Sequence, residues 1–107
     1  MCLIVCKPKG KALPHNKQLK KWFNLYPDGV GFAFQYHDKV RIVKGAMTVK
    51  QMFELVKRVK YLLKGTRMED IDLLIQFRAA ITGSICPKFC HPFPISKRQE
   101  DLDGLDV

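Results

Sequence analysis

Apolar and polar positions alternate along this chain in blocks that read as a short mixed α and β domain. Cys2 to Cys6 is an uninterrupted apolar run, which predicts a buried strand with apolar side chains on both faces. Lys7-Pro8-Lys9-Gly10-Lys11 ends it in a basic loop. After Pro14 the period changes: Leu19, Trp22, Phe23 and Tyr26 fall at i, i+3, i+4 and i+7, the stripe of an amphipathic helix. Asn16 is placed to cap that helix and Pro27 to stop it. Pro27-Asp28-Gly29 is a turn signal. Val30 to Tyr36 and Val40 to Val43 then read as two strands of a hairpin joined through His37-Asp38-Lys39, with His37 exposed at the tip. Gly29 and Gly31 flank the entry to the first of these strands, where glycine points to a bulge or a close backbone approach.

The second helical pattern runs from Thr48 to Lys64. Thr48 and Gln51 have capping-box spacing, and Gly65 is placed to end the helix. Met52, Phe53, Val56, Val59 and Leu63 form its buried stripe, while Lys50, Lys57, Arg58, Lys60 and Lys64 occupy the remaining surface. Ile71 to Ala80 is the most apolar segment and predicts a central strand, with Gln76 and Arg78 on the same side as Leu74 and Ala80. The expected fold class is α/β (α+β): mostly antiparallel strands with two helices packed on one side. Residues 1–95 form a single domain, and residues 96–107 form an acidic tail without a core-facing pattern.

Composition adds partner chemistry to this outline. The net charge is +9, with most Lys and Arg before Met68 and the acids Glu100, Asp101, Asp103 and Asp106 in the tail. That balance favours a basic face meeting nucleic acid or an acidic protein, against the plainer alternative of a soluble lysine-rich surface. No apolar run approaches the roughly 18 residues of a membrane span, so no membrane partner is expected. Lysines follow the short apolar start instead of preceding it, unlike a secretory leader. A cytoplasmic setting with reduced cysteines is the expectation.

Three chemistries compete for the cysteines. Cys2 and Cys6, with Cys86, Cys90 and His91, could form a tetrahedral zinc site, although each pair is spaced by three residues. Cys2 could equally be a small apolar residue opening a strand. Alternatively, removal of Met1 would leave Cys2 with both a thiol and a free α-amine, a nucleophile and its base on one residue. An arginine on a buried strand needs an anionic partner, from the protein or from a ligand, so Arg78 is the matching candidate for holding a carboxylate.

At this point the chain resembles a known family. Met1-Cys2-Leu3-Ile4-Val5 with the following Lys-Pro-Lys-Gly, the Pro-Asp-Gly-Val-Gly turn, Phe77-Arg78-Ala79-Ala80-Ile81-Thr82-Gly83, and Cys90-His91-Pro92-Phe93-Pro94-Ile95 resemble the class II glutamine amidotransferases, which are N-terminal-nucleophile hydrolases. The likeness is greatest to the small members of bacteriophages. It implies a shortened N-terminal-nucleophile sandwich, a host-cytoplasm setting, glutamine as substrate and no cofactor. Cys2 would be the nucleophile on the side-chain amide. Arg78, Thr82 and Gly83 would bind the substrate, and Gly29, Gly31 and His91 would support the site.

Gln76 stands where the family usually has histidine, and Ile81 where it has threonine. The downstream Asn-Gly pair that supplies the family's oxyanion hole has no counterpart, because Asp103-Gly104 comes too early with the wrong first residue. The resemblance therefore implies either a working amidase or a truncated, inactive descendant, with a homo-oligomer or a complementing chain as a source of missing parts. The alternative function is a non-catalytic basic phage protein that binds a host protein or nucleic acid.

Overall fold

The computed structural model describes residues 2–80. Strand β1 (Cys2–Lys7) is followed by helix α1 (Asn16–Leu25), strands β2 (Val30–Tyr36) and β3 (Lys39–Ala46), helix α2 (Val49–Leu62) and strand β4 (Leu73–Arg78). A single 3₁₀ turn, Met68–Asp70, precedes β4. The strands form one sheet in the order β1-β4-β2-β3, and all three pairings are antiparallel. The expected α+β class, with an antiparallel sheet and two helices on one side, is what forms.

Strand alternation divides the sheet into two faces. Val30, Phe32 and Phe34 share one face with Leu73, Ile75, Phe77 and Val43, and the helices cover it through Leu19, Phe23, Met52, Val56, Val59 and Leu63. Phe32, Phe77, Leu19, Met52 and Leu63 are among the largest fully buried side chains. Each contributes roughly 1.5–3 kcal/mol by leaving water. Trp22 of α1 meets Phe77 edge-on, with ring centroids 6.0 Å apart, which ties the first helix to the inner strand. The opposite face carries Cys2, Ile4 and Cys6, then Leu74, Gln76 and Arg78, then Gly31, Ala33 and Gln35.

Local signals set the element ends. His15, not Asn16, caps α1: its Nδ1 accepts the Lys17 backbone N–H at 3.2 Å. The imidazole takes the role of a capping oxygen, so the helix starts at the residue expected to precede it. Thr48 caps α2 as anticipated, its Oγ1 accepting the Gln51 N–H at 3.1 Å. Gln51 reaches back one residue further than a capping box requires, accepting from Met47 N–H at 2.7 Å. The hairpin turns on His37 and Asp38 alone, with φ of 51° and 61°, the two left-handed positions of a type I′ turn. At the far end of this hairpin Val30 pairs with Ala46 and Gly31 with Lys44, so Gly45 is the extra residue of a bulge, and its φ of 99° favours glycine.

Two further expectations change. The strand beginning at Cys2 is not buried on both faces; it is the sheet's edge, with Leu3 and Val5 half-buried against the core and Cys2, Ile4 and Cys6 exposed. An apolar run is the signature of an inner strand in most sheets, and here it sits outside β4 among the described residues. The loop Pro8–Lys11 is also more than a basic surface loop. Lys7 is only 4% exposed, and its ammonium donates to the carbonyl oxygens of Ile71 (2.8 Å), Lys11 (2.9 Å) and Pro8 (3.4 Å). Lys9 N–H donates to Asp72 Oδ1 at 2.7 Å and Gly10 N–H to the Glu69 carbonyl at 2.7 Å. The loop is thus sewn onto the entry to β4. The expectations for residues 81–107, including the acidic tail, lie outside the described residues.

Candidate functional site

The register of the β1–β4 ladder brings two residues of the expected site together. Cys2 and Arg78 are direct cross-strand partners, so both stand on the face away from the helices. Opposed residues of an antiparallel pair have Cβ atoms about 5 Å apart. The Cys2 thiol is exposed, whereas Arg78 is 7% exposed. Seventy-five residues of intervening chain are bridged by one register position, which pairs a thiol-bearing residue with a guanidinium-bearing one.

The Asp28-Gly29 turn locks the same end of the sheet. Asp28 N–H donates to the Arg78 carbonyl at 2.8 Å, and Arg78 N–H donates to the Gly29 carbonyl at 2.8 Å. The Asp28 carboxylate then accepts the Ala80 N–H at 2.7 Å. Gly29 has φ of 128°, a backbone conformation open to glycine and strained for other residues. Its role is to let the chain enter β2 while the turn stays bonded to the end of β4. Gly31 is the cross-strand partner of Gln76, on the same face as Cys2 and Arg78. With no side chain at Gly31, only backbone lies beside Gln76 on the β2 side, and Ile4 is its neighbour on the β1 side. Four of the expected positions, Cys2, Gly29, Gly31 and Arg78, therefore meet at one end of one sheet. Thr82, Gly83 and His91 lie outside the described residues.

At the other end of this face is a cavity of about 590 Å³, lined by Cys6, Ala33, Gln35, Val40, Leu74 and Asp72 among others. It includes neither Cys2 nor Arg78. Its walls are mostly apolar, with Cys6, Lys7 and Asp72 also in the lining, and the Asp72 carboxylate already accepts the Lys9 N–H. No sequence motif points to it, because it depends on Ala33 lying between Leu74 and Ile42 across three strands. The Cys2–Arg78 end is the one that carries expected site residues, with a thiol and a guanidinium on paired positions.

Lys7 supplies the described region's resolved electrostatic anomaly. Burial pushes its ammonium below the ordinary value of 10.5, with the charges of Asp72, Glu69 and Asp70 opposing that shift. The three carbonyl contacts identify it as a fastening of the fold and not as a proton donor to substrate. Among the described residues no three His, Cys, Asp or Glu side chains gather into a metal site. The other half of the zinc reading, Cys86, Cys90 and His91, lies outside the described residues. Nor is any described helix long and apolar enough to cross a membrane. No protein-family model, curated protein or solved structure matches the chain.

Proposed function

We propose that the chain is an amide hydrolase of the class II glutamine amidotransferase type, acting through Cys2. The observation that carries this reading is the cross-strand pairing of Cys2 with Arg78 on one sheet face. In the proposed reaction, removal of Met1 frees the Cys2 α-amine, which takes the thiol proton as the sulfur attacks the side-chain amide carbon of glutamine. The tetrahedral intermediate collapses to a thioester, and the proton held by the amine leaves with nitrogen as ammonia. Water, deprotonated by the same amine, then attacks the thioester and releases glutamate and the thiol. Arg78 holds the substrate α-carboxylate, and the Asp28-Gly29 turn keeps the end of β4 in place.

Two measurements test the proposal together. Intact mass establishes that Met1 has been removed, and an ammonia-release assay with glutamine then reads activity. The expected outcome is release that disappears in Cys2→Ser and survives with a raised KM in Arg78→Lys. Correctly trimmed protein that releases no ammonia would sink the enzymatic reading.

A further inference from the structure

The outer surface of the helical layer lies on the opposite side of the sheet from Cys2 and Arg78, and it has a separate character. Lys17, Lys20 and Lys21 of α1, and Lys50, Lys57, Arg58, Lys60 and Lys64 on and just beyond α2, are all exposed. Glu54 is the lone acid within the two helices. Among the described residues, the ion pairs run from Arg67 to Glu69 and Asp70, and none reaches the helical cations. Cations on ordinary solvated helices are commonly interleaved with acids at i+3 or i+4; most of these are not.

An exposed ring sits among them. Tyr61 is 79% exposed, the most exposed large hydrophobic side chain described. On the outer side of α2 it lines up with Lys57, Glu54 and Lys50, at i−4, i−7 and i−11, opposite the buried stripe of Met52, Val56, Val59 and Leu63, and Lys64 follows beyond the end of the helix. Lys60 and Arg58 flank this ridge on either side. Its ring makes no aromatic or hydrogen-bonded contact within the described fold.

A protein partner would need a desolvated apolar centre with a polar rim. This ridge offers a single ring among separated cations, with Glu54 as its one acid. Separated cations meet successive phosphates, and a lone exposed ring stacks on an unpaired base, whose face a duplex would hide. We propose that the outer ridge of α2 binds single-stranded nucleic acid, with the cations on phosphates and Tyr61 stacked on a base. This surface is independent of the Cys2–Arg78 site and remains available whether or not that site is catalytic.

The test is fluorescence anisotropy of a labelled oligothymidine of about 20 nucleotides, titrated with the full chain at several salt concentrations. If Lys57, Arg58, Lys60 and Lys64 each contact phosphate, log K falls with log salt at a slope of about −3. Lys57→Glu with Lys64→Glu is expected to weaken binding at least roughly a hundred-fold at low salt. Tyr61→Ala is expected to weaken it roughly ten-fold, and Tyr61→Phe to preserve it. These positions are exposed, so thermal melting of each variant checks that the fold is retained. Equal affinity for polyglutamate, with Tyr61→Ala without effect, would overturn the proposal in favour of an acidic protein partner. Tighter binding to duplex of the same length, or no binding at low salt, would also overturn it.

Discussion

The two ends of the β1–β4 ladder each hold a buried cation, and they use it differently. At the Lys7 end the ammonium is aimed at the carbonyls of Ile71, Lys11 and Pro8, and the loop of Lys9 and Gly10 is bonded to Asp72 and Glu69. At the Arg78 end a turn is again bonded to the strand, but through the backbone of Arg78 and the carboxylate of Asp28. The guanidinium itself stands on the face shared with the Cys2 thiol. Burial alone therefore does not say what a cation does. Their settings differ: Lys7 donates to three carbonyls and secures a loop, whereas Arg78 lies across the ladder from an exposed thiol, the pairing on which the proposed glutamine contact rests.

The largest expected effect that would break this comparison is at the thiol. Cys2→Ser should reduce ammonia release by at least about a thousand-fold, with the thermal midpoint nearly unchanged because Cys2 is an exposed edge residue. A variant that keeps wild-type turnover would remove Cys2 from the chemistry and leave Arg78 without its proposed purpose. Next in size is Lys7→Met, which keeps the stem but strands buried carbonyls. A loss of about 2 kcal/mol is expected in denaturant unfolding, with KM for glutamine unaffected in any protein that remains folded. A destabilised Lys7→Met with an equally altered KM would mean that the two ends are coupled.

Arg78→Lys reverses that pattern. The charge remains while the bidentate geometry is lost, so KM should rise by about ten-fold, near 1.4 kcal/mol, with a smaller change in stability than Lys7→Met. Equal changes in stability at both sites would erase the distinction between them. Thr48→Ala lies on neither end and provides a scale: loss of the α2 cap should cost about 1 kcal/mol in the same unfolding assay, without changing turnover. The smallest effect is in pH. Because burial lowers the Lys7 pKa in the fold, the unfolded chain binds that proton more tightly. From the lowered value up to the ordinary 10.5, the wild type should therefore gain stability relative to Lys7→Met as pH rises, and below that window the gap should be constant. A gap that closes on the way up would show that Asp72, Glu69 and Asp70 outweigh burial.

Much of the secondary structure was legible because local physics sets it. The 3.6-residue spacing of Leu19, Trp22, Phe23 and Tyr26, and of Met52, Val56, Val59 and Leu63, specifies two helices whatever they pack against. Thr48, Gly65 and the Pro-Asp-Gly turn mark boundaries through their own backbone preferences. The apolar segment Ile71 to Ala80 signalled a central strand, and β4 forms within it over Leu73–Arg78 with a neighbour on each side. Cys2, Gly29, Gly31 and Arg78 were expected near one another, and the strand register puts these four positions at one sheet end.

What tertiary structure alone decided is where each strand lies in the sheet and which charges become buried. Cys2–Cys6 and Leu73–Phe77 are both apolar runs, yet one is an edge and the other is flanked on both sides. That depends on β4 returning between β1 and β2, a long-range choice with no local signal. Lys7 reads as the start of a basic loop until a carbonyl 64 residues away is brought to its ammonium. Helix stripes, caps and turns arise from interactions a few residues apart, so the chain carries them in its own order. Strand neighbours and buried partners arise from contacts that exist only after the chain has closed on itself.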